Sequence, residues 1–373
     1  MNAVAADHVF DGTTLHRDAA VVIEGAHIVG VVPRRDAPAE ARVLPAGAWL
    51  APGFIDIQVN GGGDVLFNDA PTPATIATIA AAHRRFGTTG LLPTLITDAP
   101  DKTPAALAAA EAATATQPGV LGVHLEGPFI SPERAGVHDP AHMRAPTRED
   151  LALLTAPRRG VTLVTLAPER VPAGVTAALA AAGVRVALGH SNASYDETRA
   201  ALADGLTGFT HLFNAMRPMQ SRDPGPIAAA LESPDAFVGL IVDGVHVDPA
   251  MLRLALRGAA RPILVTDAMP PVGGKRATFR LYGEEIVVHD GRCVRRDGTL
   301  AGAFLDMARA VRNCVELLGV PLTQALQFAS IHPAQFLGRR DLGRLAPGCR
   351  ADMVAFWPDT IAVLDTWVAG ASS

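Results

Sequence analysis

The sequence predicts an α/β protein, a (β/α)8 TIM-like barrel with a small β module formed from both termini. Three observations carry that prediction. Between residues 52 and 340, short β-branched runs that end in polar residues alternate with alanine- and leucine-rich helical stretches. Residues 1–51 and 341–373 instead read as short strand-like pieces with no helix of useful length between them. Acidic residues and histidines recur at the carboxyl ends of the central runs, where a barrel gathers its chemistry.

The elements follow in order. Residues 2–9 alternate loosely, and 19–24 and 27–32 are separated by Gly25, which reads as a tight turn. The predicted barrel strands are 53–59, 89–94, 120–125, 161–166, 184–189, 208–211, 238–243 and 262–267. Helices are predicted at 73–85, 104–116, 148–156, 174–182, 194–203 and 248–257. Residues 351–357 and 362–368 are again strand-like, and pairing with the first fifty residues would join both ends in one module. A doubly wound sheet is disfavoured. Gly61-Gly62-Gly63 follows the first strand, but the G-x-G-x-x-G fingerprint before a helix is absent.

Composition narrows the function classes. The chain has 373 residues, 49% hydrophobic and 18% charged, which supports a large core and excludes global disorder. A net charge of -5 argues against bulk nucleic-acid binding, and Arg84-Arg85 and Arg339-Arg340 read as solvated surface. Cys293, Cys314 and Cys349 are odd in number and lack C-x-x-C spacing, so they read as buried small hydrophobes. No signal-peptide pattern and no run of 18 uncharged apolar residues is present, so a cytoplasmic protein without a membrane span is expected.

The strand ends suggest the chemistry. HLEGPF places Glu126 after the third run, ALGHS places His190 after the fifth, and THLFNAM carries His211 on the sixth. One carboxylate and two imidazoles are a sound ligand set for a borderline divalent ion that keeps a position open for water. Zinc is expected, and iron, cobalt or manganese would fit the same ligands. Asp267, in ILVTDAMP, is a candidate metal ligand or general base, with an N-cap as the competing reading. Asp243 in DGVH divides between a turn role before Gly244 and a supporting role behind the site. No nucleophile elbow and no Walker A motif is present, which leaves attack of water on a carbonyl as the reaction type.

An ordered set of blocks then carries a resemblance: APGFIDIQVNGGG at 51–63, HLEGPFI at 124–130, AGVH at 135–138, GHS at 189–191, THLFNAM at 210–216, RDPG at 222–225, DGVH at 243–246, VTDAM at 265–269 and LAGA at 300–303. In this order the chain resembles the N-acetylglucosamine-6-phosphate deacetylases, a branch of the amidohydrolase superfamily. The resemblance implies that the module made by both termini is a small β-sandwich domain, and it implies one firmly bound divalent ion on Glu126, His190 and His211, with Asp267 as the catalytic carboxylate. It implies substrate contacts from His138, Asn214, Ala215, Arg222, His246 and Ala303. It also implies a homodimer in which Arg222 reaches the neighbouring site. The relatives that hold two metals have a histidine where this chain has Gln58, so Gln58 is expected either behind the metal ligands or at a weak second metal. The implied reaction gives acetate and glucosamine 6-phosphate. A related amidohydrolase acting on another N-acyl sugar or a cyclic amide is the competing enzyme reading. A scaffold protein would be expected to have lost Asp267 or the ligands.

Overall fold

The computed structural model describes residues 2–372. Eight strands form one parallel sheet: Phe54–Val59, Thr88–Ile96, Gly122–Glu126, Val161–Leu166, Arg185–Leu188, Gly208–Phe209, Phe237–Leu240 and Arg261–Leu264. Each pairs in parallel with the next in sequence. The ring closes where Val59 bridges Ala268 and the Asp267 N–H donates to the Gln58 carbonyl at 3.0 Å. Asp56 adds a side-chain stitch across the same seam. Its buried carboxyl accepts the Thr266 hydroxyl at 2.5 Å and the Thr266 N–H at 3.3 Å. All eight predicted strands are therefore present, each within a few residues of its expected span.

Local sequence explains the spacing. Strands three and four approach so closely at Gly122 that a Cβ there would lie 1.9 Å from the Val161 carbonyl oxygen, so only glycine fits. The helix Pro73–Arg84 starts at Thr72, whose hydroxyl accepts from the Thr75 N–H at 3.2 Å, with proline at its first position. Tyr195–Ala203 starts at a Ser194–Glu197 capping box. Ile76 and Ile79 of the first helix are fully buried in the same core as Leu92, Val164, Val186 and Leu264 from the strands. That burial of a helix face against the barrel is the main stabilising term.

The termini meet as expected. Trp49–Pro52 lies parallel to Asn2–Phe10 on one side and antiparallel to Met353–Trp357 on the other. The strands Leu15–Glu24, His27–Pro33, Arg42–Val43, Ala362–Val368 and Ala371–Ser372 extend this to a sheet of eight strands. It has its own apolar cluster, which includes Val4, Val21, Leu50, Met353 and Trp367.

Two regions depart from the prediction. A four-stranded antiparallel sheet (Thr278–Leu281, Glu284–His289, Arg292–Val294 and Leu300–Ala303) is inserted after the last barrel strand. Its strands are short and half-exposed, so their apolar alternation is faint. The chain also forms helices at Gly225–Leu231, Met307–Leu318, Leu322–Ala329 and Ile331–Phe336 that the sequence reading does not contain. Leu322–Ala329 and Ile331–Phe336 are short and broken at Ser330, which hides their length, but Met307–Leu318 runs twelve residues with Met307, Ala310, Val311, Cys314 and Leu318 buried along one face, a helical period that the sequence reading passed over. Among the described residues no helix is long and apolar enough to cross a membrane.

Candidate active site

The barrel mouth holds a cavity of about 230 Å³. Glu126, His138, His190, His211, Asn214, Ala215, His246 and Asp267, all expected from the sequence, line it together. Glu126 is the last residue of strand three, and His190 and His211 follow the ends of strands five and six. Thr165 and Thr210, joined through their hydroxyls at 2.6 Å, form a polar floor below the mouth. His124 Nε2 meets the same Thr165 hydroxyl at 2.7 Å. Gly189 fits above this floor because it has no side chain; a Cβ would come within 2.6 Å of Thr165 Cγ2.

The chain is strained where it delivers these groups. His190, His211, Phe213, Ala215 and Asp267 have left-handed φ values of 49°, 33°, 79°, 49° and 51°. Such a conformation costs a non-glycine residue roughly 1–3 kcal/mol and persists only where the surrounding structure enforces it. The concentration of five of them at one mouth marks it as the functional end of the barrel.

Three ligand-type atoms converge. His190 Nε2 and His211 Nε2 lie 3.1 and 2.9 Å from Glu126 Oε1, and 3.1 Å from each other. His190 Nδ1 meets the Arg134 carbonyl at 2.8 Å, which assigns its proton to Nδ1 and leaves a lone pair on Nε2. That lone pair therefore faces a carboxylate oxygen, and the one proton on His211 Nε2 cannot serve both acceptors. A shared cation would, so the residues fit a divalent ion. Burial would raise the Glu126 carboxyl, but the two histidines hold it well below the usual range. Burial would lower His211, and its bond to Glu126 raises it instead. His138 also brings a ring nitrogen within 4.8 Å of the Glu126 and His190 ligand atoms. His138 Nδ1, however, is already engaged by the Thr97 hydroxyl at 2.9 Å and accepts the Thr97 N–H at 3.4 Å. Its proton therefore sits on Nε2, and burial followed by the neighbouring His190 keeps the ring neutral.

Asp267 is set differently from Glu126. Its Oδ1 accepts from Asn60 Nδ2 at 2.6 Å and Gln58 Nε2 at 3.3 Å, and Oδ2 has no partner among the described residues. Burial, and then the charge of Glu126, push its pKa up to about 6. It caps no helix, which removes the competing reading. Gln58 also donates to both Glu126 oxygens, at 3.3 and 3.2 Å, so it lies behind the two carboxylates with its donor end toward them. Asp243 fills both of its expected roles. Oδ1 accepts the Val245 and His246 N–H groups, and Oδ2 holds His246 Nδ1 at 2.6 Å.

Two expected contacts stand apart from the cavity wall. Arg222 is exposed on the loop between Met216 and the helix Gly225–Leu231 and does not line the cavity. That loop is tied by Arg217 Nε to Asp223 Oδ2 at 2.7 Å. Ala303 lies one residue behind the wall, where its N–H donates to the Asp267 carbonyl at 2.9 Å and its neighbours Gly302 and Leu300 face the cavity. Sequence reasoning missed Asn60, Met269 and Thr299, which also line it. Asn60 had a signal, since it follows the first strand end as the others follow theirs. Thr299 had none, because it belongs to the inserted sheet.

Comparison with known proteins places this geometry in context. The amidohydrolase family model matches residues 49–372. The N-acetylgalactosamine-6-phosphate deacetylase of Shewanella sp. (strain ANA-3) is 43% identical over 88% of this chain and 83% of its own length. The N-acetylglucosamine-6-phosphate deacetylase of Haemophilus influenzae is 35% identical over 95% of this chain and 94% of its own. The crystal structure of N-acetylglucosamine-6-phosphate deacetylase from Pasteurella multocida superposes with a TM-score of 0.95 at 33% identity, covering 100% of this chain and 99% of that one. With a family model spanning nearly the whole sequence and relatives this similar over most of their length, the chain belongs to the amidohydrolase family.

Proposed function

We propose that this protein hydrolyses the N-acetyl amide of N-acetyl-D-glucosamine 6-phosphate, releasing acetate and D-glucosamine 6-phosphate. The observation that carries the reading is the convergence of Glu126, His190 and His211 within 3.1 Å beside an unpartnered Asp267 oxygen. The deacetylase relatives supply the substrate class. Glu126, His190 and His211 would hold one divalent ion, most simply zinc, which would lower the pKa of water and polarise the acetyl carbonyl. His211 rather than His138 is the third ligand, because its nitrogen meets the other two most closely and His138 is engaged with Thr97.

The chain's own groups do the rest. Asp267 Oδ2 takes a proton from the attacking water and returns it to the sugar nitrogen as the C–N bond breaks. His138, neutral with its proton on Nε2, donates to the acetyl oxygen as negative charge develops there. Asn60 and Gln58 hold Asp267 Oδ1, so the other oxygen keeps its aim. Asp243 holds His246 in the same way, leaving Nε2 for the substrate. Asn214, the Ala215 N–H and His246 contact the sugar phosphate, with Ala303 backing the wall. The exposed Arg222 reaches the phosphate of a neighbouring subunit in a homodimer. Residues 2–51 and 341–372 are assigned to the β-sandwich domain beside the barrel of 52–340, a reading supported by the joining of both ends in one sheet.

A second reading has its own support, since the Shewanella relative at 43% identity is named for the galactosamine epimer. Acetate release from N-acetylglucosamine, N-acetylgalactosamine and N-acetylmannosamine, each with and without the 6-phosphate, tests both. The expected result is strong preference for phosphorylated sugars with the gluco epimer first. A better galacto substrate would select the second reading, and no release from any would reject deacetylation. Arg222→Ala is expected to raise KM for the phosphorylated sugar by about 10-fold or more, the loss of one charge-assisted contact, with kcat little changed. Unchanged KM would remove Arg222 from the phosphate site.

A further inference from the structure

The amino-terminal end of the barrel carries a second cavity, of about 580 Å³. Arg185, the first residue of the fifth barrel strand, forms one wall. Gln335, Gly338, Arg339, Arg340 and Arg344, from the last helix and the segment after it, form much of the rest. Four arginines thus line one cavity in a chain whose net charge is -5. No aspartate or glutamate lines it. Arg339 is engaged by the carboxylate of Asp341, onto which it forks at 2.8 and 2.6 Å. The guanidinium groups of Arg185, Arg340 and Arg344 have no hydrogen-bond or ion-pair partner among the described residues.

Arg185 is the most telling of the three. It is half-buried, and its Nη2 lies against Gly338, 2.2 Å from where a Cβ on that residue would sit. Burial draws its pKa below the ordinary arginine range, with no carboxylate to offset it. A partly desolvated cation without a counterion is unfavourable, and neighbouring unpaired cations add mutual repulsion. A bound anion relieves both. The planar guanidinium fork matches phosphate oxygens, and the cavity leaves room beyond a single phosphate group. We propose that this cavity binds a phosphorylated small molecule, its phosphate held by the guanidinium groups of Arg185, Arg340 and Arg344. The site lies at the start of the strand whose far end delivers His190, and no step of amide hydrolysis uses it.

Isothermal titration of the metal-loaded, full-length protein at low ionic strength tests this, with adenosine 5′-monophosphate and inorganic phosphate as probes. Three further proteins serve as comparisons: the Arg185→Gln/Arg344→Gln double variant, Arg344→Gln alone and Arg222→Ala. Adenosine monophosphate is expected to bind the unsubstituted protein and Arg222→Ala alike. It should bind the double variant at least about 10-fold more weakly, as loss of two charged contacts requires. Arg344 is exposed, so its single variant keeps the fold and should show part of the loss. Acetate release by the Arg185→Gln/Arg344→Gln and Arg344→Gln variants should stay near that of the unsubstituted protein. Equal affinity for inorganic phosphate would identify the free ion as ligand, and tighter adenosine monophosphate an ester; both support the site. Absence of binding, or binding that survives the double substitution, overturns it.

Discussion

Asparagine at position 267 is expected to lower kcat by about 100-fold or more, the ordinary contribution of a general acid–base group, with bound metal retained. The amide is nearly the same size as the carboxyl, and its oxygen can still accept from Asn60, so the local structure should hold. What it loses is the ability to take and return a proton. The environment of Asp267 suits that exchange. Burial and the Glu126 charge push its pKa up to about 6, closer to neutrality than an exposed carboxyl. An attached cation would pull in the opposite direction, so the acid limb of a kcat/KM profile is expected at or below about pH 6. That limb should vanish in the variant. Near-normal kcat in Asp267→Asn, with metal measured as stoichiometric, would sink this role for Asp267, and Asp243 would be the next carboxylate to replace.

Removal of one imidazole from the convergent cluster should have an equally large effect by a different route. His190→Ala is expected to lose most of its bound metal and to reduce kcat/KM by about 10³-fold or more, the scale of several kcal/mol of charge stabilisation. Elemental analysis of the purified variant separates this from a purely catalytic defect. Metal occupancy equal to that of the unsubstituted protein would refute His190 as a ligand. A pH dependence follows from the same geometry. Glu126 raises the pKa of His211, and a ligand must be deprotonated to bind, so protons compete with the ion as pH falls. Metal affinity should therefore weaken on acidification, and should do so at higher pH than for a histidine with an ordinary pKa.

Much of this site was legible before any coordinates, because barrels impose a simple rule. Residues at the carboxyl ends of successive parallel strands meet at one mouth however far apart they lie in sequence. Glu126, His190, His211 and Asp267 could be picked out as residue types at repeated positions, and eight of the expected residues do line one cavity. The terminal pairing was visible for a related reason: both ends lack helical periodicity, and strands need partners. The inserted sheet at 278–303 and the short helices at 322–336 were not legible, because short strands and short helices carry too little periodicity to separate from loop. Met307–Leu318 is different: its apolar stripe at Met307, Ala310, Val311, Cys314 and Leu318 was there to be read and was missed.

The chain's order of residues by itself determined the barrel, the union of its ends and the types of chemical group at the mouth. Those follow from hydrophobic period, turn chemistry and strand count, all local properties. Tertiary structure alone decided which atoms point where. It oriented His190 through the Arg134 carbonyl, and turned the donor ends of Asn60 and Gln58 onto one oxygen of Asp267. It kept Arg222 off the cavity wall and brought Thr299 onto it from an insertion. It also set the surface pair Arg339-Arg340 beside Arg185, more than a hundred residues earlier in the chain, around one cavity. The physical reason is the same in each case. Hydrogen-bond direction, charge pairing and burial depend on neighbours that only the closed ring of strands brings together.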